Sequence, residues 1–360
     1  MSVRRIVGIA AVGALVALVG CATTSTSPSA SQDASEAESA AESAAPSASV
    51  GDDTTVRPGE EWIANQRIDG DGDGIFLVRP DGTGHHNLVP DLAGSEIHPD
   101  WSPDGEQIAF VRFDPDDISE LWVVNADGTG AELLYRCELP CNAMDYPVWA
   151  PDGSAVYTGI TANADEAGFP ATFGVARVDL AGGEATWVLT REDGWTAEQP
   201  RISPDGTQVV YTRYAVHPDD PEQADGSAIF VSDLAGGPEQ RLTEWDMWGA
   251  HPDWSADDQI VFNTFDLGVF QQDQWATNLY TMQTDGSGLT AITEFGEGET
   301  RATQPRWSPD GTGITFTQVN GEGFGTRQPS FISTDGSGMR FLTPNGNEGT
   351  HPQLRPLPES

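Results

Sequence analysis

The stretch Ile97 to Phe110, IHPDWSPDGEQIAF, recurs down the chain in weakened copies, and this repetition leaves few folds open. The copies are YPVWAPDGSAVYT from Tyr146, QPRISPDGTQVVYT from Gln199, HPDWSADDQIVFNT from His251, QPRWSPDGTGITFT from Gln304 and a truncated HPQLRP from His351. Aligned on Pro99, Pro147, Pro200, Pro252, Pro305 and Pro352, they lie 48, 53, 52, 53 and 47 residues apart by subtraction. Ser102-Pro103-Asp104-Gly105 has Ser first, Pro second and Gly fourth, the chemistry of a type I turn, so its flanks read as paired strands. An alternating strand with a second turn follows at Leu121, Ile229, Leu279 and Phe331, then a short strand ending in Leu-Thr or Ile-Thr. Four strands per unit at this period describe a propeller blade.

At these residues the chain resembles the TolB-like propeller repeat, a relative of WD repeats. That pattern runs Pro-x-Trp-Ser-Pro-Asp-Gly, then Ile-x-Phe, then Ile-Tyr-Val-x-x-x-Asp-Gly. The resemblance covers Glu60 to Pro356; Ser255-Ala256-Asp257-Asp258 departs from it, lacking Pro and Gly, and predicts a looser turn. The first unit, from Glu60, supplies three strands, and the segment at His351 supplies the missing innermost one. The expectation is therefore an all-β, six-bladed β-propeller of four-stranded antiparallel blades over residues 59–356, closed by the C-terminal strand joining the first blade. Such closure removes free sheet edges. One domain, as a monomer, is expected.

Residues 1–20 read as an export signal: Met1 to Arg5 carries two arginines, then comes an apolar run from Ile6 to Val19 that is short for a membrane span. Leu18-Val19-Gly20-Cys21 resembles the bacterial lipobox, which implies cleavage before Cys21 and diacylation of its thiol. The alternative is an ordinary signal peptide with Cys21 there by chance. Residues 21–58 then form a Ser-, Ala- and acid-rich tether with almost nothing to bury. Its reach is roughly 35 Å. The expected location is the cell membrane, lipid-anchored on the extracytoplasmic side.

Formal net charge is −39, and every basic residue is arginine. Such a surface repels nucleic acid and anionic headgroups, so nucleic acid is excluded as a partner and the membrane is reached only through the anchor. Cys137 and Cys141 read first as a disulfide stiffening one loop, with free thiols or metal ligands as the alternatives. Asp69, Asp71 and Asp73 look like the start of a calcium loop, but the twelfth residue from Asp69 is Pro80, so a Gly-Asp hairpin is the simpler reading.

If strands alternate in direction, the short turns share one face and the long loops the other. Long loops on a rigid scaffold are the usual place for binding. That face carries Trp195, Trp245, Trp248 and Trp275, either as ligand platforms or as local cores, beside acids such as Asp193, Glu244 and Asp246 that suit sugars or cationic peptide side chains. His98, Tyr146, Gln199, His251, Gln304 and His351 precede the repeat prolines and should ring the channel mouth there. They either bind a polar ligand or hydrogen-bond neighbouring blades. A pectate-degrading lyase family with similar repeats holds a divalent ion with His and Gln at its channel. Here His251 is placed across the ring from His98, which suits a metal poorly, so neither metal nor cofactor is expected.

The chain has no Gly-x-Ser-x-Gly elbow, no His-Glu-x-x-His and no phosphate loop. TolB itself carries an α/β domain before its propeller, where this chain has the tether. No catalytic residue is assigned. The reading is a binding module for an envelope protein or glycan, with a metal-dependent polysaccharide lyase or hydrolase at the His/Gln ring as the runner-up.

Overall fold

The computed structural model describes residues 53–69, 72–164, 172–191, 196–217, 220–265, 277–296, 300–321, 325–343 and 348–357. Export signal, Cys21, most of the tether, Asp71, Trp195, Asp193 and Trp275 lie outside them. Among the described residues no helix is long and apolar enough to cross a membrane.

The chain is built of strands that pair in sequence order. The first sheet holds β1 (Ile63–Asp69), β2 (Gly72–Val78) and β3 (His86–Asn87); the second holds β4 (Ser95–Trp101), β5 (Gln107–Phe113), β6 (Ser119–Asn125) and β7 (Glu132–Arg136). The third holds β8 (Cys141–Trp149), β9 (Ala155–Ala162), β10 (Thr172–Asp179) and β11 (Thr186–Arg191). The fourth holds β12 (Glu198–Ile202), β13 (Gln208–His217), β14 (Asp220–Asp233) and β15 (Gln240–Arg241). Then come β16 (Ala250–Trp254), β17 (Gln259–Phe265), β18 (Thr277–Gln283), β19 (Thr290–Ala291), β20 (Thr300–Trp307), β21 (Gly313–Asn320), β22 (Thr326–Ser333) and β23 (Arg340–Phe341). The last strand, β24 (Thr350–Leu354), returns to pair antiparallel with β1 and makes the first sheet four-stranded.

The fold is thus an all-β propeller arrangement of four-stranded antiparallel sheets. Where the repeats predict six separate sheets, hydrogen bonding gives five, four of four strands and one of eight. The cause is local: a single parallel bridge, Thr277 to Arg301, joins β18 to β20.

The Ser-Pro-Asp-Gly turns close as their composition dictates. Gly105 N–H donates to Ser102 O at 2.8 Å, Ser102 Oγ donates to Asp104 at 2.6 Å, and Gln107 N–H donates to Ser102 Oγ at 2.9 Å. Gly105 has φ +70°, and a Cβ there would fall 2.2 Å from Pro356 O, so only glycine fits beneath the C-terminal segment. In the departing copy Asp258 takes the glycine place at φ +59°, and its bond to Ser255 O lengthens to 3.3 Å. That turn is looser, as its composition predicts.

Sheets pack face to face through apolar clusters. Leu121, Val123, Met144 and Ile160 join the second and third sheets, and Val175, Ala228 and Phe230 join the third and fourth. Ile63 and Val78 of the first sheet pack with Leu342, Phe331 and Leu354. Each fully buried large side chain contributes about 1.5–3 kcal/mol. The repeat tryptophans reach back to the preceding unit: Trp149 Nε1–H donates to Asp100 O at 3.1 Å, and Trp101 Nε1–H to Gln353 O at 3.3 Å. Cys137 and Cys141 are joined as a disulfide, Cα to Cα 5.3 Å, between β7 and β8.

Candidate functional site

Every innermost strand is bulged at its repeat proline. Pairing with the second strand slips between Ile97 and Asp100, Asp145 and Val148, Glu198 and Arg201, Ala250 and Asp253, and Thr303 and Arg306. At each bulge the residue before proline is left-handed. The φ values are +53° at His98, +47° at Tyr146, +56° at Gln199, +51° at His251, +57° at Gln304 and +53° at His351. Non-glycine residues held there store of order 1–3 kcal/mol of strain each, and a residue before proline prefers extended backbone.

Hydrogen bonds from the adjoining unit hold the bulges in place. Gln66 Oε1 accepts the His98 N–H at 3.3 Å, Gln199 Oε1 that of His251 at 2.8 Å, and Asn263 Oδ1 that of Gln304 at 3.2 Å. The His351 N–H donates to Thr317 Oγ1 at 3.0 Å and Gln304 Oε1 at 3.4 Å. Neighbour-to-neighbour bonding, one of the two roles expected for these positions, is therefore present.

The same bulges turn five of the six side chains onto each other, with contacts that skip a sheet. The rings of His98 and Tyr146 stack at 3.9 Å between centroids, and His98 meets His351 edge-on at 4.3 Å. His351 lies 6.4 Å from His251, so it bridges the two histidines expected to face each other across the ring. Tyr146 Oη and Gln199 Nε2 each lie 3.2 Å from His251 Nε2, and His251 Nδ1 lies 3.1 Å from Asn263 Oδ1. The network assigns the His251 proton to Nδ1, leaving Nε2 to accept from both donors. Gln304 is engaged differently, accepting from Thr317 Oγ1 at 2.8 Å.

Burial, and secondarily Arg306, pushes the His251 imidazole down to about 3, and burial holds His351 well below its ordinary value. Both rings are neutral at pH 7. Burial, then Asp145, drives the Tyr146 phenol well above 10. Among the described residues no group of three His, Cys, Asp or Glu side chains is placed to hold a metal ion.

Beneath the mouth lies a charged plug that sequence reading passed over. The residue after each repeat proline reads Asp100, Val148, Arg201, Asp253, Arg306 and Gln353. Arg201 Nη1 meets Asp100 Oδ1 at 2.5 Å and its Nε lies 3.4 Å from Asp253 Oδ1. Asp100 also accepts the Trp149 N–H at 2.9 Å, and Asp253 accepts that of Trp307 at 2.8 Å. Arg306, buried, is lowered to about 10 by desolvation and then by Arg201. The signal was in the sequence, as acids and arginines at one register.

Beside the mouth a small cleft of about 40 Å³ opens between the third and fourth sheets. Its walls are Phe113, Ala143, Met144, Ile160 and Ala197, and its polar groups include Asp145, Tyr146, Glu198 and Gln199. Asp145 Oδ1 takes His98 Nδ1 and the Tyr146 N–H. Glu198 Oε1 is buried with no hydrogen-bond partner. Burial, then the charge of Asp145, raises the Glu198 carboxyl to about 8, so it holds its proton at pH 7.

The tryptophans are placed differently. Trp248 is buried at a left-handed position, and Trp245 packs on Phe230 with centroids 5.5 Å apart, both serving local cores. Glu244 and Asp246 beside them are exposed.

No family model matches the sequence, and no curated protein matches it. Solved structures do. TolB from Acinetobacter baumannii superposes with a TM-score of 0.62 at 18% identity, over 82% of this chain and 66% of that one, so the chain spans about two thirds of its length. A putative TolB from Agrobacterium tumefaciens gives 0.54 at 18% identity, over 83% and 99%. A chain of a nidogen/laminin complex gives 0.60 at 8% identity, over 83% and 100%. At these identities the likeness is one of fold, and the fold is that of a TolB-like β-propeller.

Proposed function

We propose that the chain is an extracytoplasmic binding propeller that engages a protein partner through the channel mouth and the cleft beside it. The observation that carries this is the set of six strained pre-proline bulges, five of whose side chains meet in one polar cluster above a charged plug. A channel closed below and dressed above is suited to holding a ligand at its rim. The eight-stranded sheet is read as two blades joined by one bridge, giving six blades, with β24 closing the ring against β1. Apolar packing of Ile63 and Val78 against Leu342 and Phe331 supports that closure.

A photo-reactive benzoylphenylalanine replacing Phe113 at the cleft, compared with one replacing Asp310 in an opposite-face turn, tests the reading in cells making the full chain. A protein adduct from the cleft position alone is expected. Equal adducts from both positions, or a glycan adduct in place of a protein, would contradict it.

Residues 1–20 are proposed to be removed and Cys21 diacylated, with residues 21–58 tethering the propeller to the membrane. Intact mass of detergent-extracted protein should show loss of Met1 to Gly20 and added acyl mass. An unprocessed chain, or a mature one wholly in the soluble fraction, would defeat the anchor.

A further inference from the structure

Asp145 and Glu198 stand two residues before the repeat prolines of consecutive units, so the fold brings both residues into the lining of one cleft. Among the described residues no arginine lines it. Asp145, a quarter exposed, already holds His98, while Glu198 has one oxygen buried and unpartnered, its carboxyl otherwise hydrogen-bonded to the Thr196 side chain. A buried carboxyl oxygen without a partner is costly, and a ligand donor that reaches it recovers that cost. The remaining wall is aliphatic and aromatic, from Ala143, Met144, Ile160, Ala197 and Phe113. Gly159 contributes no side chain to the lining; a Cβ there would stand 3.3 Å from Asp145 O.

We propose that this cleft takes a primary ammonium group on an aliphatic stem, a lysine side chain of the partner, with Glu198 and Asp145 as its counter-charges. The proposal rests on the protein-binding reading above and deepens it. Apolar walls take the methylenes while the Phe113 ring in the lining favours the cation. A planar guanidinium gains from two coplanar oxygens of one carboxylate, whereas two carboxyls on separate strands suit a point charge with three rotatable donors.

Binding is coupled to a proton. The groups facing Glu198 are Asp145 and Tyr146 on β8 and Tyr214 on β13, with His98 on β4 behind Asp145. Tyr146 and Tyr214 are both held above the ordinary phenol range by burial, so of this carboxyl and the two phenols it is Glu198 that releases a proton near neutrality. An arriving ammonium ionises it. Affinity therefore rises with pH up to about 8 and then levels.

The probe is Nα-acetyl-lysine N-methylamide, titrated against the full chain by NMR, with the norleucine analogue as its uncharged counterpart. At pH 8 the lysine probe should bind at least tenfold tighter than the norleucine one, and its affinity should weaken more than tenfold between pH 8 and pH 6. Glu198→Gln should lose at least tenfold at pH 8 and flatten the pH profile. Equal binding of the two probes, no binding of the lysine probe, or a Glu198→Gln protein that binds unchanged would overturn the proposal. Should that variant fail to fold, the wild-type pH profile decides alone: a flat one overturns. Failure of the lysine probe alongside a cleft-specific protein cross-link removes this subsite and leaves the protein-binding reading standing.

Discussion

Removal of Gly349 to Ser360 should lower the melting temperature by about 10 °C or more, or leave insoluble protein, because this segment joins the two ends of the chain. β24 supplies the innermost strand of the first sheet, through Ile63 to Leu354 and Ala64 to Gln353. Gln353 Oε1 accepts the Trp101 N–H at 2.9 Å, and Pro352 O accepts from Thr315 Oγ1 at 2.8 Å, so neighbours on both sides lose partners. Arg355, buried, donates to Gly105 O at 2.7 Å and Arg57 O at 2.8 Å and pairs with Glu106 at 3.2 Å. The truncation exposes an edge on β1 and uncovers Trp101. Thermal unfolding followed by circular dichroism measures the effect. A truncated chain that melts with the full one would mean that the segment is a tail.

Asp100→Leu should destabilise by about 3–5 kcal/mol, because it leaves the Arg201 guanidinium buried without its closest counter-charge. Asp100 and Asp253 balance Arg201 and Arg306 in the plug, and the Trp149 N–H and the Gln353 carboxamide also turn to Asp100. Arg201→Met should cost a similar amount. The double variant Asp100→Leu/Arg201→Met should cost less than the two added, by at least about 1 kcal/mol, since it removes both charges at once. Urea unfolding of the four proteins gives the coupling. Strict additivity would mean that the charges act independently and that the plug is not one network.

The repeat period and the order of strands were legible because strand alternation, turn chemistry and spacing agreed in copy after copy. The turn at Asp258 even showed its departure in advance. What was not legible was the backbone at His98 and its five counterparts. Proline disfavours the very conformation these residues adopt, so local propensity points the wrong way and only bonds from the next unit, such as Gln199 to His251, hold them there. The five-sheet outcome rests on one bridge, Thr277 to Arg301, that no pattern announces. Trp245 and Trp248 read equally as platforms or cores, and composition could not choose. Two signals were present but unused: Asp145 and Glu198 share a register in consecutive repeats, as do the acids and arginines of the plug.

The two neutral rings at the mouth also set an acid limit on stability. His251 and His351 have folded-state values below the ordinary 6.5, so their contribution is fully present above that pH. It is lost as pH falls below 6.5, because the unfolded chain takes up protons that the folded one refuses.

Those two rings also report most directly on the claim at the centre of this account, that the bulged residues assemble one closed, water-poor cluster at the channel mouth. Imidazole ¹⁵N shifts of the full chain, recorded from pH 8 down to pH 4.5, should show His251 and His351 staying neutral throughout, with the His251 proton on Nδ1. Protonation of either ring near its ordinary value of about 6.5 would show an open, hydrated mouth in which the cluster does not form.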